Sequence, residues 1–255
     1  MKLLKALGLT LAFFFCSSHS MAAETGFLDR EIEHAGDTYH YQVYLPRNYS
    51  ASGQWPVILF LHGAGERGND GLKQTQVGLG RAIRLNPERW PAITVFPQVP
   101  ADGRWQGDVA AMAMAALDAT IEEFSTDASR VYLTGLSLGG NGSWYLGYHH
   151  ADRFAAVLAV CGFVQLDGRV EAFVSGTSDP YGSVANSLRN TPVWVVHGDA
   201  DVVVPVDESR KMVSALQSVG AQVHYTELPG VNHNSWDAAY GDLDIVSWLF
   251  EQRSD

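Results

Sequence analysis

The sequence predicts an α/β chain: a mostly parallel, doubly wound sheet with an antiparallel N-terminal edge. Three observations carry that expectation. Short, near-continuous apolar runs rich in β-branched residues recur along the chain, namely "PVILFLHG", "AITVFPQ", "RVYLTG", "AAVLAVCG" and "PVWVVHG". Such runs suit strands buried on both faces of a parallel sheet. Helix-like stretches lie between them, and strands alternating with crossover helices wind onto both faces of one sheet. An earlier segment, "TYHYQVYLP" (Thr38 to Pro46), instead alternates with period two, as a partly exposed edge strand does.

The elements follow in order. Lys2 and Lys5 precede an apolar core from Leu7 to Phe15 that is too short to span a bilayer, and small residues follow near Ala22 and Ala23. That is the layout of a cleaved secretory signal peptide, so residues 1–22 are expected to leave and 23–255 to form one catalytic domain, periplasmic or secreted. Cys16 follows the bulky Phe15, which argues against lipid attachment there. His34 and His40 fall in the N-terminal strands, and "AQVHYTEL" is a late strand carrying His224. Helices are expected over Asp108 to Phe124, over Val206 to Gly220 with the glycine as C-cap, and over Trp236 to Arg253.

Composition narrows the partners. The chain carries 28 acidic against 17 basic residues, a net charge of −11. Loss of the leader, with two lysines and no acid, makes the mature chain more acidic still. Such a chain repels nucleic acid and anionic headgroups, so neither is an expected partner. No run beyond the leader is long and apolar enough for a stable membrane anchor. Cys161 is the one cysteine after the leader, which excludes an intramolecular disulfide; it reads as a small buried residue. Oligomeric state leaves no trace in the sequence.

Ligand sites of doubly wound sheets lie at the carboxyl ends of strands, so each candidate residue should follow one. Ser137 does. Gly135-Leu136-Ser137-Leu138-Gly139 reads G-x-S-x-G between the run "RVYL" and the helix-like "GGNGSWYLGYHH". A sharp strand-to-helix turn forces the serine backbone into a sparsely allowed region, and flanking glycines prevent collisions. The hydroxyl then projects at a helix N-terminus, where free N–H groups favour developing negative charge.

A nucleophilic serine needs oxyanion donors and a base. One donor is the N–H of Leu138. The other is expected from His62-Gly63-Ala64-Gly65, a small-residue loop after an apolar run, with Ala64 preferred and Gly65 as the alternative. In this order of elements the acid and then the histidine follow the serine. His62 precedes it, His149 and His150 end the helix after it, and His197 ends a buried strand. His233, in the loop "LPGVNHNSWD" between the last strand and last helix, is the remaining candidate base. Asp199 and Asp201 share the loop after "PVWVVHG", and spacing does not separate them.

With these residues assembled, the chain resembles secreted α/β-hydrolase carboxylesterases, a family that includes predicted peptidases, phospholipase/carboxylesterase-like proteins and relatives of polyhydroxybutyrate depolymerases and feruloyl esterases. The anchors are "LHGAGERGND", "FPQVP" followed by Trp105, "VYLTGLSLGGNGSW", "DRFAAVLAVCG", "VWVVHGDADVVVP" and "HNSW". The resemblance implies Ser137 as nucleophile, Asp201 rather than Asp199 as acid, His233 as base, and Gly63 to Gly65 as oxyanion loop. Leu138 stands where many relatives carry Met and Asn141 where an aromatic is common, so the acyl pocket is expected to differ in shape.

The implied reaction is hydrolysis of a small-molecule or polymer-borne ester through an acyl-enzyme, with no metal or organic cofactor. The segment of about 30 residues between Cys161 and Pro192 is rich in Gly, Ser and Asp, so a minimal lid and an open cleft are expected. That suits short acyl, aryl or polymer-borne esters, with Trp105 and Trp236 as candidate cleft walls. A serine peptidase or an acyltransferase on the same scaffold would share the triad. A non-catalytic binding protein would more commonly have lost one of its members.

Overall fold

The computed structural model describes residues 24–166 and 172–254. The expected signal peptide lies outside the described residues. The strands are β1 (Gly26–His34), β2 (Asp37–Leu45), β3 (Trp55–Leu61), β4 (Ile93–Pro97), β5 (Thr126–Leu136), β6 (Ala156–Val160), β7 (Val193–Gly198) and β8 (Val223–Leu228). They form one eight-stranded sheet in the order β1-β2-β4-β3-β5-β6-β7-β8. The β1–β2 and β2–β4 pairs are antiparallel and the others parallel, which is the α/β-hydrolase arrangement. Ala35 and Gly36, both at positive φ, close the β1–β2 hairpin, as a two-residue turn matching strand twist requires.

The helices are α1 (Leu79–Leu85), α2 (Gly107–Glu123), α3 (Leu138–His150), α4 (Pro180–Ser187), α5 (Asp207–Ser218), α6 (Trp236–Gly241) and α7 (Leu243–Glu251). Strand periodicity divides the core in two. Val57, Leu59 and Leu61 of β3 join the cluster under α2 to α5, whereas Ile58 and Phe60 join the cluster under α1, α6 and α7. Both faces are covered, which is why the central strands read as unbroken apolar runs. Between β6 and β7 the described chain forms one short helix, α4, packed against α3 and α5.

One helix departs from expectation. The stretch Trp236 to Arg253 is two helices, because Asp242 is extended and its carboxylate accepts the N–H groups of Asp244 and Ile245 as an N-cap. The break lets α7 turn back onto the sheet.

At the carboxyl edge the backbone is crowded. A Cβ on Gly139 would overlap the carbonyl oxygen of Leu61 and press on that of His62. A Cβ on Gly135 would come within 2.9 Å of the same Leu61 oxygen. Both motif glycines therefore permit main-chain contact between the ends of β3 and β5 and the start of α3. Gly139→Ala is expected to cost about 3 kcal/mol by denaturant unfolding, as overpacking against fixed backbone does. Gly65→Ala, with no atom within 4 Å of the added methyl, should change stability by less than about 0.5 kcal/mol. Equal costs would contradict this reading.

Candidate active site

Each candidate follows a strand: the 62–65 turn follows β3, Ser137 follows β5, Asp201 follows β7 and His233 follows β8. Ser137 adopts φ 54° and ψ −113°, a conformation costly for a residue with a Cβ. It is held there by its N–H donating to Val160 O at 2.9 Å and its carbonyl accepting from Asn141 N at 3.0 Å. The side chain stays half-exposed at the start of α3.

His233 joins the other two. Its Nε2 lies 2.9 Å from Ser137 Oγ and its Nδ1 lies 2.6 Å from Asp201 Oδ2. A carboxylate only accepts, so the proton sits on Nδ1 and Nε2 accepts from the serine hydroxyl. Asp201 is buried, yet Oδ1 accepts Val203 N–H at 2.8 Å and Val204 N–H at 3.0 Å. Burial alone would raise its pKa. The hydrogen bonds from His197, His233, Val204 and Val203 outweigh that and hold the carboxyl well below the usual carboxylate range. Asp199, by contrast, is exposed and accepts Gly230 N–H at 2.6 Å, a turn-capping position.

Sequence reasoning passed over one participant. His197 is fully buried, its Nε2 lying 3.1 Å from Asp201 Oδ2 and 3.0 Å from Val204 O. Both are acceptors, so Nε2 carries the proton, and Nδ1 accepts from Ser209 Oγ at 2.7 Å. The available signal was its burial at a strand end, since a buried imidazole requires partners on both nitrogens.

Ala64 and Gly65 lie in a 3-10 turn, Ala64–Glu66, and Leu138 opens α3. N–H groups at helix starts lack intrahelical acceptors. The start of α3 lies against the residues that lead into this turn: a Cβ on Gly139 would come within 2.8 Å of His62 O. His62 anchors the turn. Its Nδ1–H donates to Gly63 O at 2.6 Å, and its Nε2 accepts Val99 N–H at 3.0 Å. Burial pushes its pKa down to about 4, so the ring is neutral.

The expectation that Trp105 walls the cleft is corrected. Trp105 is fully buried, its Nε1–H donates to His62 O at 3.0 Å, and its ring packs against that of His62 with centroids 5.0 Å apart and planes at 70°. The indole fits because Gly142 of α3 leaves room for it. It supports the 62–65 turn through that bond. Trp236 is half-buried with its ring 5.5 Å from that of His233, at the site. Asn141 is buried between Phe163 O, to which Nδ2 donates at 2.9 Å, and Gln106 Nε2, from which Oδ1 accepts at 3.3 Å.

Cys161, Asp201 and His233 place ligand atoms within 4.8 Å of one another. Metal binding would require the Cys161 thiolate, and burial pushes that thiol up to about 12. It would also displace the proton that His233 shares with Asp201. The chemistry of this set favours the hydrogen-bonded pair.

Buried groups link stability to pH. His62 is depressed in the fold, so its contribution is fully present above the unfolded value of roughly 6.5 and is lost as pH falls towards 4. Asp201 is depressed too, so its contribution is present above the unfolded value of roughly 3.9 and lost below it. Denaturant midpoints should therefore drop between pH 7 and 4 in the wild type and drop less in His62→Gln, whose side chain does not titrate. Parallel curves would contradict the assignment.

Known proteins share this architecture. A family model described as the prolyl oligopeptidase family matches residues 101–252, a span that holds Ser137, Asp201 and His233. An "uncharacterized secreted protein" of Arthroderma benhamiae is 26% identical over 213 residues, covering 73% of this chain and 22% of that protein. "Esterase LipC" of Mycobacterium tuberculosis is 26% identical over 215 residues, covering 70% of this chain and 52% of that protein. The chain thus spans about half or less of the length of these curated relatives. A crystal structure of a thermostable esterase superposes with a TM-score of 0.76 at 28% identity, covering 89% of this chain and 63% of that one. The chain belongs to the prolyl oligopeptidase family, on an α/β-hydrolase fold.

Proposed function

We propose that this protein is a serine hydrolase of carboxylic esters, with Ser137 as nucleophile, His233 as base and Asp201 as orienting acid. The observation that carries the reading is the relay in which His233 bridges Asp201 at 2.6 Å and Ser137 at 2.9 Å. Relatives described as esterases support ester chemistry. Ser137 attacks the ester carbonyl as its proton passes to His233 Nε2, and Asp201 stabilises the imidazolium. The oxyanion rests on the N–H groups of Leu138 and Ala64, with Gly65 as the alternative donor. His233 then protonates the leaving alcohol, and water repeats the attack on the acyl-enzyme. The half-exposed Ser137 favours short acyl, aryl or polymer-borne esters, with Trp236 beside the base.

Export through a leader at residues 1–22, with 23–255 as the catalytic domain, belongs to the same proposal; the relative called secreted supports it. A peptidase is the second reading, favoured by the family description. Aminoacyl nitroanilides run beside nitrophenyl esters separate the two: turnover of the anilides with inert esters would replace the esterase reading.

On a nitrophenyl ester series, Ser137→Ala should cut turnover by roughly 10⁴- to 10⁶-fold. Asp201→Asn should be far more damaging than Asp199→Asn, and the reverse order would overturn the acid. His197 acts through Asp201 as a positioning residue. His197→Phe should lower kcat roughly ten- to a hundred-fold with KM little changed, and His197→Gln, which keeps an amide donor, should recover much of it. Equal losses in the two variants would reduce His197 to a packing role.

A further inference from the structure

Cys161 follows β6 directly, at φ 40°, a left-handed conformation that glycine adopts freely and a residue with a Cβ resists. A glycine stands next, at 162, so the chain keeps a side chain where the backbone favours none. That side chain lies against the Asp201–His233 pair. Cys161 is fully buried, and its Sγ, a carboxylate oxygen of Asp201 and a ring nitrogen of His233 lie within 4.8 Å of one another. Main-chain bonds fix the placement. Cys161 N–H donates to Val196 O at 2.8 Å, and the preceding carbonyl, Val160 O, accepts Ser137 N–H at 2.9 Å.

Asp201 has no acceptor site to spare. A carboxylate offers about four lone-pair sites. Oδ1 accepts Val203 N–H at 2.8 Å and Val204 N–H at 3.0 Å, while Oδ2 accepts His233 Nδ1–H at 2.6 Å and His197 Nε2–H at 3.1 Å. A further strong donor beside it therefore enters only by displacing one of these. Two of them are N–H groups of the acid's own loop, and His197 is fully buried, so the bond at risk is the one to the half-buried His233.

A thiol is a weak donor and a hydroxyl a strong one, although the two differ little in size. Burial pushes the Cys161 thiol up to about 12, and the Ser235 hydroxyl and Ser137 N–H beside it offset that only in part, so the sulfur stays protonated and uncharged. Ser235 Oγ is itself buried without a hydrogen-bond partner. A hydroxyl at position 161 would accept from Ser235 and pass its own proton to Asp201, each bond strengthening the other. Resting on the reading of Ser137, His233 and Asp201 as a hydrolytic relay, we propose that Cys161 is a positioning residue. Its thiol packs against the Asp201–His233 pair without donating strongly to it, which keeps the Nδ1 proton of His233 committed to Asp201.

The test sets Cys161→Ser beside Cys161→Ala on 4-nitrophenyl butyrate. The serine variant should lose about ten-fold or more in kcat with KM changed less than about two-fold, and the alanine variant less than about three-fold in kcat. Packing alone predicts the opposite order, since alanine leaves a void and serine nearly fills the thiol's place. The low-field proton resonance of His233 Nδ1–H, identified by its loss in His233→Gln, should persist in Cys161→Ala and move upfield in Cys161→Ser. Losses in the alanine variant equal to or above those in the serine variant, or a resonance indifferent to Cys161→Ser, overturn the positioning role. Should Cys161→Ser fail to fold, the wild type still decides. Its infrared S–H stretching band, identified by its loss in Cys161→Ala, should lie where a weakly bonded thiol absorbs and persist in mildly alkaline buffer. A band shifted as by strong donation to a carboxylate overturns the proposal. Labelling of Ser137 by a fluorophosphonate separates this proposal from the esterase reading, because it needs no ester substrate. Slower labelling in Cys161→Ser than in Cys161→Ala supports the role of Cys161 even where no ester is cleaved, an outcome in which only the esterase reading falls. Equal labelling rates beside rapid butyrate turnover overturn the positioning role alone.

Discussion

The main-chain contact between the end of β3 and the start of α3 governs the rest of this site. Gly139 lies against the carbonyls of Leu61 and His62, and Gly63 lies against Leu136. The end of β3 and the start of α3 therefore meet backbone to backbone at Gly139, while Gly63 leaves room for the Leu136 side chain. On the other flank, Cys161 at φ 40° carries the chain past β6, and Gly162 abuts Gly140 of α3. A serine held at φ 54° between two such walls keeps its conformation because neighbouring backbone overdetermines it.

The second constraint is electrostatic. Asp201 is a buried anion, and burial by itself would protonate it. Two backbone N–H groups and two imidazoles keep it charged, and only one of those imidazoles faces Ser137. The other, His197, ties the carboxylate to Ser209 on α5. A hydrogen-bonded line thus runs from α5 through Ser209, His197, Asp201 and His233 to Ser137. Orientation of His233 is consequently a property of helix placement as well as of the loop after β8.

Much of this was legible in the residues. Strands buried on both faces can only be apolar throughout, so the central sheet announced itself, and chain order sorted Ser137 and His233 from their rivals. What was not legible was decided by direction. Asp199 and Asp201 share a loop, and only the inward turn closed by the N–H groups of Val203 and Val204 distinguishes them. Trp105 carries an apolar body and one N–H donor, equally suited to a cleft wall and to the core. The His62 carbonyl and the gap left by Gly142, both remote in sequence, place it inside. Asp242 hid a helix break within an amphipathic stretch because its capping bonds are made only once the backbone there is extended.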